Sequence, residues 1–429
     1  MLLFLSILFV LYVFSLCTIW NISNILTLRI YLLSNAFYFI LVPLEWFINA
    51  LINNGKGSDF DIEATGVATL CTMAVLSLWG MFLPLHFFKF SEQSYLSFSK
   101  ENTSSFSKIA FLIALFLLFS LFLFNYNTLI SINNYREGLK VLFANPIISV
   151  ALSSILILSF VSLFSFIDIK KNLWNKIIVT IPFLLIGLGL KSKDELVWGV
   201  FIFWILIQYT TTYGKPLFYC IIVALVLSPI LNWLFIGWRL EGMGKVLDII
   251  SHLDARNFYF KSDPGGILFS FTETYKAKES LHLSYGVGYL KELIQLVPKF
   301  IYPNRPEDIS ILFSKTRIED WTPGFGLGYS PMAEAYQNFG ILGGFIHFFI
   351  LGSFWVFFWK SINQVVVIIT QKKLFVSSLY LTIAGLWWFS LPRMPMVAIY
   401  KNTFIYCIPF VLLYLVLSIN LFAKSPKLN

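Results

Sequence analysis

The sequence predicts an all-α, polytopic integral membrane protein with about eleven transmembrane helices and one large hydrophilic loop. The composition is the first observation, because 58% of the residues are hydrophobic and 12% are charged, whereas soluble domains carry about 25% charged residues. The second is that apolar runs of membrane-spanning length recur along most of the 429 residues. The third is that one long polar segment interrupts them. Together they exclude a soluble cytoplasmic enzyme, a disordered chain and a secreted disulfide scaffold.

The apolar runs define the candidate spans, because a helix satisfies its own backbone hydrogen bonds within lipid. They lie at residues 2–20, 30–52, 65–89, 108–125, 146–167, 177–190, 196–213, 217–238, 337–359, 374–391 and 403–423. This order divides the chain into an N-terminal bundle (1–238), a large loop between the eighth and ninth spans (239–336) and a C-terminal bundle (337–429).

The short connections set the orientation, because Lys and Arg collect on the cytoplasmic side of a membrane. With the N-terminus outside, the inner connections and the C-terminal tail carry more Lys and Arg than the outer connections do. The net charge of +9 fits basic loops beside anionic lipid. We therefore expect the C-terminus inside and the large loop on the outer face.

The large loop has the composition of an ordered, functional segment. Its acidic and basic residues nearly balance, and it is rich in aromatic residues. Helical pieces are predicted at 244–253 and 285–297, and turns at 263–266 (DPGG) and 302–306 (YPNRP).

Basic side chains gather at the predicted outer surface. They are Lys191, Lys193, Arg239, Arg256, Arg305, Arg317 and Arg393. Several guanidinium groups around one cavity suit a pyrophosphate, because each planar fork makes paired bonds to phosphate oxygens. The alternative for each is a lipid headgroup or an acidic partner within the loop.

The return from the loop to the membrane carries the candidate acid–base group. Ser330 has the position of an N-cap, Pro331 that of the first helical residue, and Glu334 lies in the first turns. Glu334 could take a proton from a hydroxyl, or it could simply interact with the helix dipole.

Ionisable residues within the apolar runs are functional candidates, since burying charge in lipid is costly. Glu45 and His347 are of this kind, and the alternative is a neutral side chain bonded to a neighbouring helix. Asp59 and Asp61 could hold a divalent cation, but a solvated acidic loop is the simpler interpretation. The sequence gives no reason to expect a cofactor or a metal.

Three stretches resemble the bacterial O-antigen polymerases, the Wzy-type oligosaccharide repeat-unit polymerases. They are GGILFSFTETY at 265–275, YGVGYLKELIQLVPKFIYPNRPED at 285–308, and GLGYSPMAEAYQNFGILGG at 326–344. The family typically carries a proline–basic–aromatic–proline element in its outer loop. It then re-enters the membrane through a Glu, Tyr, Asn, Phe, Gly run. Lys299 stands where many relatives have Arg.

The resemblance implies a fold similar to the C-type glycosyltransferases, with the large loop in the periplasm and the bundle in the bacterial inner membrane. It implies transfer of a glycan chain from undecaprenyl pyrophosphate to a second lipid-linked repeat unit. On this basis Glu334 is the expected base, with Asp263 in reserve. The expected catalytic residues are Glu334, Arg305 and Arg256, and the expected substrate-binding residues are Arg239, Arg317, Lys191, Lys193, Lys299, Tyr336 and Arg393.

The expected partners are undecaprenyl-pyrophosphate-linked oligosaccharides, membrane lipid and a chain-length regulator protein, with no nucleic acid. An O-antigen ligase, which uses the same donor, is the nearest alternative. A lipid-linked oligosaccharide flippase or other transporter is the second, although such proteins are expected to have short loops and charges within their central helices. A membrane scaffold would not need so many outward cations.

Overall fold

The computed structural model describes residues 2–23, 25–36, 38–39, 43, 60–91, 116, 263–277, 283–297, 301–317, 329–370, 380, 388, 391–400 and 403. Every regular element in these ranges is helical. The elements are α1 (Leu2–Ile22), α2 (Leu26–Ala36), α3 (Phe60–Phe87), α4 (Asp263–Lys276), α5 (Val287–Ile294), α6 (Ile309–Arg317), α7 (Pro331–Phe339), a 3-10 turn (Gly340–Leu342), α8 (Gly343–Thr370) and a second 3-10 turn (Leu391–Arg393).

Three helical stretches in the described part of the chain are long and apolar enough to cross a membrane. They are Phe4–Ile22, Ala64–Phe87 and Pro331–Gln364, the last of which contains α7, the 3-10 turn and most of α8. The helical character and the membrane location are therefore confirmed. The total of about eleven spans and the placement of the large loop stay predictions.

Small residues bring α3 and α8 into close contact. A Cβ added to Gly80 would lie 2.5 Å from the Phe345 carbonyl oxygen, and one added to Gly344 would lie 2.7 Å from the Met73 carbonyl oxygen. Between helices in lipid, association depends on such close backbone approach rather than on a hydrophobic driving force. These glycines therefore set the distance between the two helices.

Polar side chains join the first three helices inside the apolar bundle. The Asn35 amide donates to the Tyr31 hydroxyl at 2.9 Å and to Ser77 Oγ at 2.7 Å, and its oxygen accepts from Tyr12 at 3.1 Å. All four residues are buried. Because each buried polar atom of Asn35 has a partner, the cluster stabilises helix association without an unsatisfied group.

The structure differs from the sequence prediction at two places in the chain. Residues 263–266 were predicted to form a turn, but they begin α4. Pro264 is tolerated there because a residue in the first helical turn needs no backbone donor. The ninth span was predicted as one helix over 337–359, but α7 ends at Phe339 and α8 begins at Gly343.

Gly340 explains this break between α7 and α8. Its φ of +60° is a left-handed conformation that glycine adopts at low cost, and its N–H bonds the Tyr336 carbonyl to close α7. A Cβ at Gly343 would lie 2.0 Å from the Ala335 carbonyl oxygen. The chain can therefore turn sharply before α8 begins.

We expect Gly344→Ala to destabilise the protein by about 1–3 kcal/mol, because the added methyl group meets backbone atoms of α3 that cannot move away. Gly66→Ala is the milder comparison, since its Cβ would lie 3.1 Å from Cδ1 of the Tyr275 side chain rather than against backbone atoms. Thermal unfolding in detergent measures the difference. Equal melting temperatures for the two variants would contradict the close contact between α3 and α8.

Candidate active site

The sequence around α7 builds the helix as predicted. Ser330 Oγ accepts a hydrogen bond from the Met332 N–H at 3.1 Å, and Pro331 occupies the first helical position. The Ser330 N–H donates to Ser270 Oγ of α4 at 3.0 Å, which fixes the start of α7 against that helix. The predicted N-cap is confirmed. It places Glu334 in the first turn, with its side chain fully buried.

The residues before α5 and its first turn lie against the end of α7. The Ser284 and Tyr285 N–H groups donate to the Gln337 and Asn338 carbonyls at 3.1 and 3.0 Å. A Cβ added to Gly288 would lie 2.7 Å from Asn338 Oδ1, so the absence of a side chain at 288 allows this approach. Of the helix predicted over 285–297, the part Val287–Ile294 is helical, as α5, and the residues on both sides of it form turns.

Beyond this contact, Glu292 of α5 comes close to Glu334 of α7. Glu292 follows Gly288 by one helical turn, and Glu334 precedes Asn338 by one turn, so the two carboxyl groups face each other. Their side chains are close enough to share a hydrogen bond once one carboxyl group is protonated, and both residues are buried. A carboxyl–carboxyl hydrogen bond requires a proton on one partner.

Two consecutive backbone N–H groups donate to this pair, one to each carboxyl group. The Met396 N–H donates to Glu334 Oε2 at 2.8 Å, and the Val397 N–H bonds the Glu292 carboxyl group. The next two N–H groups, of Ala398 and Ile399, bond the Pro395 carbonyl instead. The segment after Pro395 therefore supplies its free donors to the carboxyl pair.

Burial raises the pKa of Glu292 to about 7, from an ordinary value of 4.5. A hydrogen bond with Glu334 and one with the Val397 N–H lower this pKa, and the charge of Asp308 raises it. Burial is the largest of these effects, so the pKa is raised overall. A carboxyl group that titrates near neutral pH is suited to proton transfer.

Neutral ring groups surround the pair. Burial raises the pKa of the Tyr289, Tyr329 and Tyr400 hydroxyls, and the nearby carboxylates Glu334 and Glu292 raise it further. The Tyr289 hydroxyl lies 2.8 Å from His347 Nδ1. His347 Nε2 is buried and has no hydrogen-bond partner among the described residues. His347 is thus bonded to a neighbouring helix, which was the simpler of its two predicted roles.

Two of the predicted cationic residues bind other groups of the protein. Arg305 Nη1 donates to the carbonyls of Gln295 and Val297, just beyond the C-terminus of α5. Arg317 Nη2 lies 2.8 Å from Glu273 Oε2, which joins α6 to α4. The Arg317 side chain is still 43% exposed, so its guanidinium group can reach solvent.

Of the remaining predicted residues, Tyr336 and Arg393 are described by the structure and the others are not. Tyr336 packs against Phe271 and Tyr275 of α4, with ring centroids 5.8 and 5.7 Å away. Arg393 ends the second 3-10 turn, three residues before Met396, and is half-buried. Lys191, Lys193, Arg239, Arg256 and Lys299 lie outside the described residues, as does Glu45. A cavity shared by these cations stays a prediction.

Glu292 and Tyr289 are the residues that sequence reasoning missed. The signal was the run YLKEL at 289–293, which puts Tyr289 and Glu292 on one face of a helix, three residues apart. That both face inward follows from the pairing of α5 with α7, which periodicity alone does not reveal.

Residues 309–426 match the family model described as O-antigen polysaccharide polymerase Wzy. The predicted resemblance to the Wzy family is confirmed. The match begins with α6 and includes α7 with Glu334, α8 and the Met396 donor, while α4 and α5 lie before it. No curated protein and no solved structure matches the chain significantly.

The carboxyl pair predicts how the stability of the protein depends on pH. Because the Glu292 pKa is raised on folding, the folded state binds more protons than the unfolded state between about pH 4.5 and 7. The melting temperature should therefore fall as the pH rises through this window. Glu292→Gln should flatten the dependence, whereas Glu307→Gln, which alters an exposed ion pair with Lys315, should not. A pH dependence that is unchanged in Glu292→Gln would contradict the burial of this carboxyl group.

Proposed function

We propose that the protein is a polymerase of O-antigen or another surface polysaccharide. It transfers a glycan chain from undecaprenyl pyrophosphate to a lipid-linked repeat unit at the periplasmic face of the inner membrane. The observation that carries the proposal is the family match over residues 309–426, which contains α7 and its buried Glu334. The apolar stretch Pro331–Gln364 places this carboxyl group at one end of a candidate span, where a lipid-linked sugar would be presented.

The reaction needs a group that accepts a proton. The hydroxyl oxygen of the acceptor sugar forms a bond to the anomeric carbon of the donor, and the bond from that carbon to the pyrophosphate oxygen breaks. The pyrophosphate leaves with the electron pair, and the hydroxyl proton passes to Glu334. Since this carboxyl group is buried in the structure and α5 is one of its neighbours, we propose that the acceptor reaches it when α5 moves aside.

The leaving pyrophosphate needs positive charge, which basic residues supply. Arg317 is the best-placed candidate among the described residues, because its guanidinium group is partly exposed at the end of α6. Arg305 is tied to the chain just beyond α5, because one of its nitrogens already binds two backbone carbonyls there. The other proposed donors are Arg256, Arg239, Lys191, Lys193, Lys299 and Arg393.

The proposal extends to the substrate partners of the enzyme. Undecaprenyl-pyrophosphate-linked oligosaccharides would serve as both donor and acceptor, and their lipid tails would lie among the apolar helices. Tyr336 offers an aromatic ring at the start of the candidate span for contact with a sugar, although Phe271 and Tyr275 already cover part of it. A chain-length regulator is proposed as a protein partner.

We expect Glu334→Gln to abolish long polysaccharide chains, with a loss of at least about 100-fold, because the amide cannot accept the hydroxyl proton. The variant is expressed in a strain that lacks the gene, and the chain-length ladder is read on a gel. Glu307→Gln serves as the control, since Glu307 is 43% exposed and pairs only with Lys315 among the described residues.

The outcome also separates the polymerase from its alternatives. The deletion strain should still carry surface lipid with a single repeat unit, because only elongation is lost. Loss of that single unit would point to a ligase or a flippase. A normal ladder from Glu334→Gln would remove this residue from the site.

We expect Arg317→Ala to shorten or abolish the chains while Glu273→Ala leaves them intact. Both variants break the same ion pair, and a partly exposed pair contributes only about 0.2–1 kcal/mol to stability. A difference between them therefore reports on a role of Arg317 beyond the ion pair. Equal ladders from the two variants, measured at equal protein levels, would show that Arg317 has only a structural role.

A further inference from the structure

We propose that Glu292 and Glu334 hold one proton between them, and that Glu292 is the positioning residue that orients Glu334 for proton transfer. The proposal deepens the proposed function and rests on it for the reaction step. The shared proton itself is a property of the folded protein and can be tested without any activity.

The first argument is the geometry of the two helices. Gly288 contacts Asn338, and Asn338 Nδ2 donates to the Glu334 carbonyl at 2.9 Å. Ser284 Oγ donates to Asn338 Oδ1 at 2.7 Å. These contacts fix the register of α5 on α7, and one turn further along that register Glu292 reaches Glu334. The meeting of the two carboxyl groups therefore follows from backbone packing and from a fully bonded Asn338.

The second argument is the count of donors around the four carboxyl oxygens. The Met396 and Val397 N–H groups bind one carboxyl group each. Glu292 Oε2 and Glu334 Oε1 are buried and have no hydrogen-bond donor among the described residues. Two ionised carboxylates in contact without a donor would repel each other strongly in a buried site. One proton placed between these two oxygens satisfies both of them.

The third argument is the character of the groups that face the pair. Tyr289 comes from α5, Tyr329 from the segment before α7, and Tyr400 from the segment after Met396. Asp308, just before α6, adds negative charge, and His347 of α8 is bonded to Tyr289. The three phenols are neutral at physiological pH, and Asp308 opposes full ionisation of the pair. This environment favours a pair that carries a single negative charge.

In the proposed reaction this arrangement gives each carboxyl group a separate role. Glu334 receives the proton of the acceptor hydroxyl as the new glycosidic bond forms and the pyrophosphate departs. Glu292, held by Val397, keeps its bond to Glu334 and so fixes the direction from which Glu334 can accept. The pair then holds two protons and releases one to water before the next cycle.

Infrared titration of the purified full-length protein tests the shared proton. In the wild type, one buried carboxylic-acid carbonyl band should be lost as the pH rises through about 7, where Glu292 ionises, while a second band, from the shared proton, should persist above that pH. Glu292→Gln and Glu334→Gln should each remove the persisting band or move the midpoint by about one pH unit or more. Glu307→Gln, an exposed matched control, should leave it unchanged. A band that persists unchanged in Glu292→Gln would overturn the proposal.

The pH profile of chain elongation in isolated membranes tests the positioning role. Glu292→Gln should shift the profile by about one unit or more, because an amide can still bond Glu334 but cannot share a proton. Glu292→Asp should recover part of the wild-type profile, because it keeps a carboxyl group. This second variant also tests the role if Glu292→Gln fails to fold. An unshifted profile in both variants would overturn the positioning role. If even the wild type does not elongate chains, the proposed function fails. The infrared result still decides whether the two carboxyl groups share a proton.

Discussion

The burial of two carboxyl groups between α5 and α7 is the constraint on which the rest of the site depends. A buried carboxylate is costly unless it is protonated or bonded, and here the cost is offset by two backbone amides and by the contact between the carboxyls. This requirement explains why the chain brings the residues after Pro395 to α7. It also explains why α5 must lie in one register, since a shift by one residue would move Glu292 away from Glu334.

Glycines make this packing possible at several points. Gly288 allows α5 to approach Asn338, and Gly343 allows α8 to start close to Ala335. Gly344 and Gly80 then hold α8 against α3. The same close contacts connect the site to the apolar bundle, so the position of Glu334 relative to the candidate spans is set by backbone contacts rather than by long flexible side chains.

The sequence predicted the local features of this region and missed those that depend on tertiary pairing. The N-cap at Ser330 and the helix containing Glu334 follow from neighbouring residues, and both are confirmed. The motif at 263–266 was wrongly predicted as a turn, because Pro-Gly is typical both of turns and of the first turn of a helix. Glu292 was overlooked because its partner lies in another helix, which no periodicity of α5 identifies. The shared cation cavity stays a prediction, since most of its members lie outside the described residues.

The most direct measurement is reversible cross-linking of the segment just before α5 to α7 in membranes that carry the proposed polymerase substrates. Ser284 and Asn338, whose side chains are in contact at 2.7 Å, would be replaced together by cysteine in a protein without its four native cysteines. The single-cysteine variants serve as controls. The account predicts that oxidation joins the two residues and stops chain elongation, and that a reductant restores it. Failure of the cross-link to form, or undiminished elongation by the cross-linked protein, would contradict the claim that Glu334 acts beneath α5.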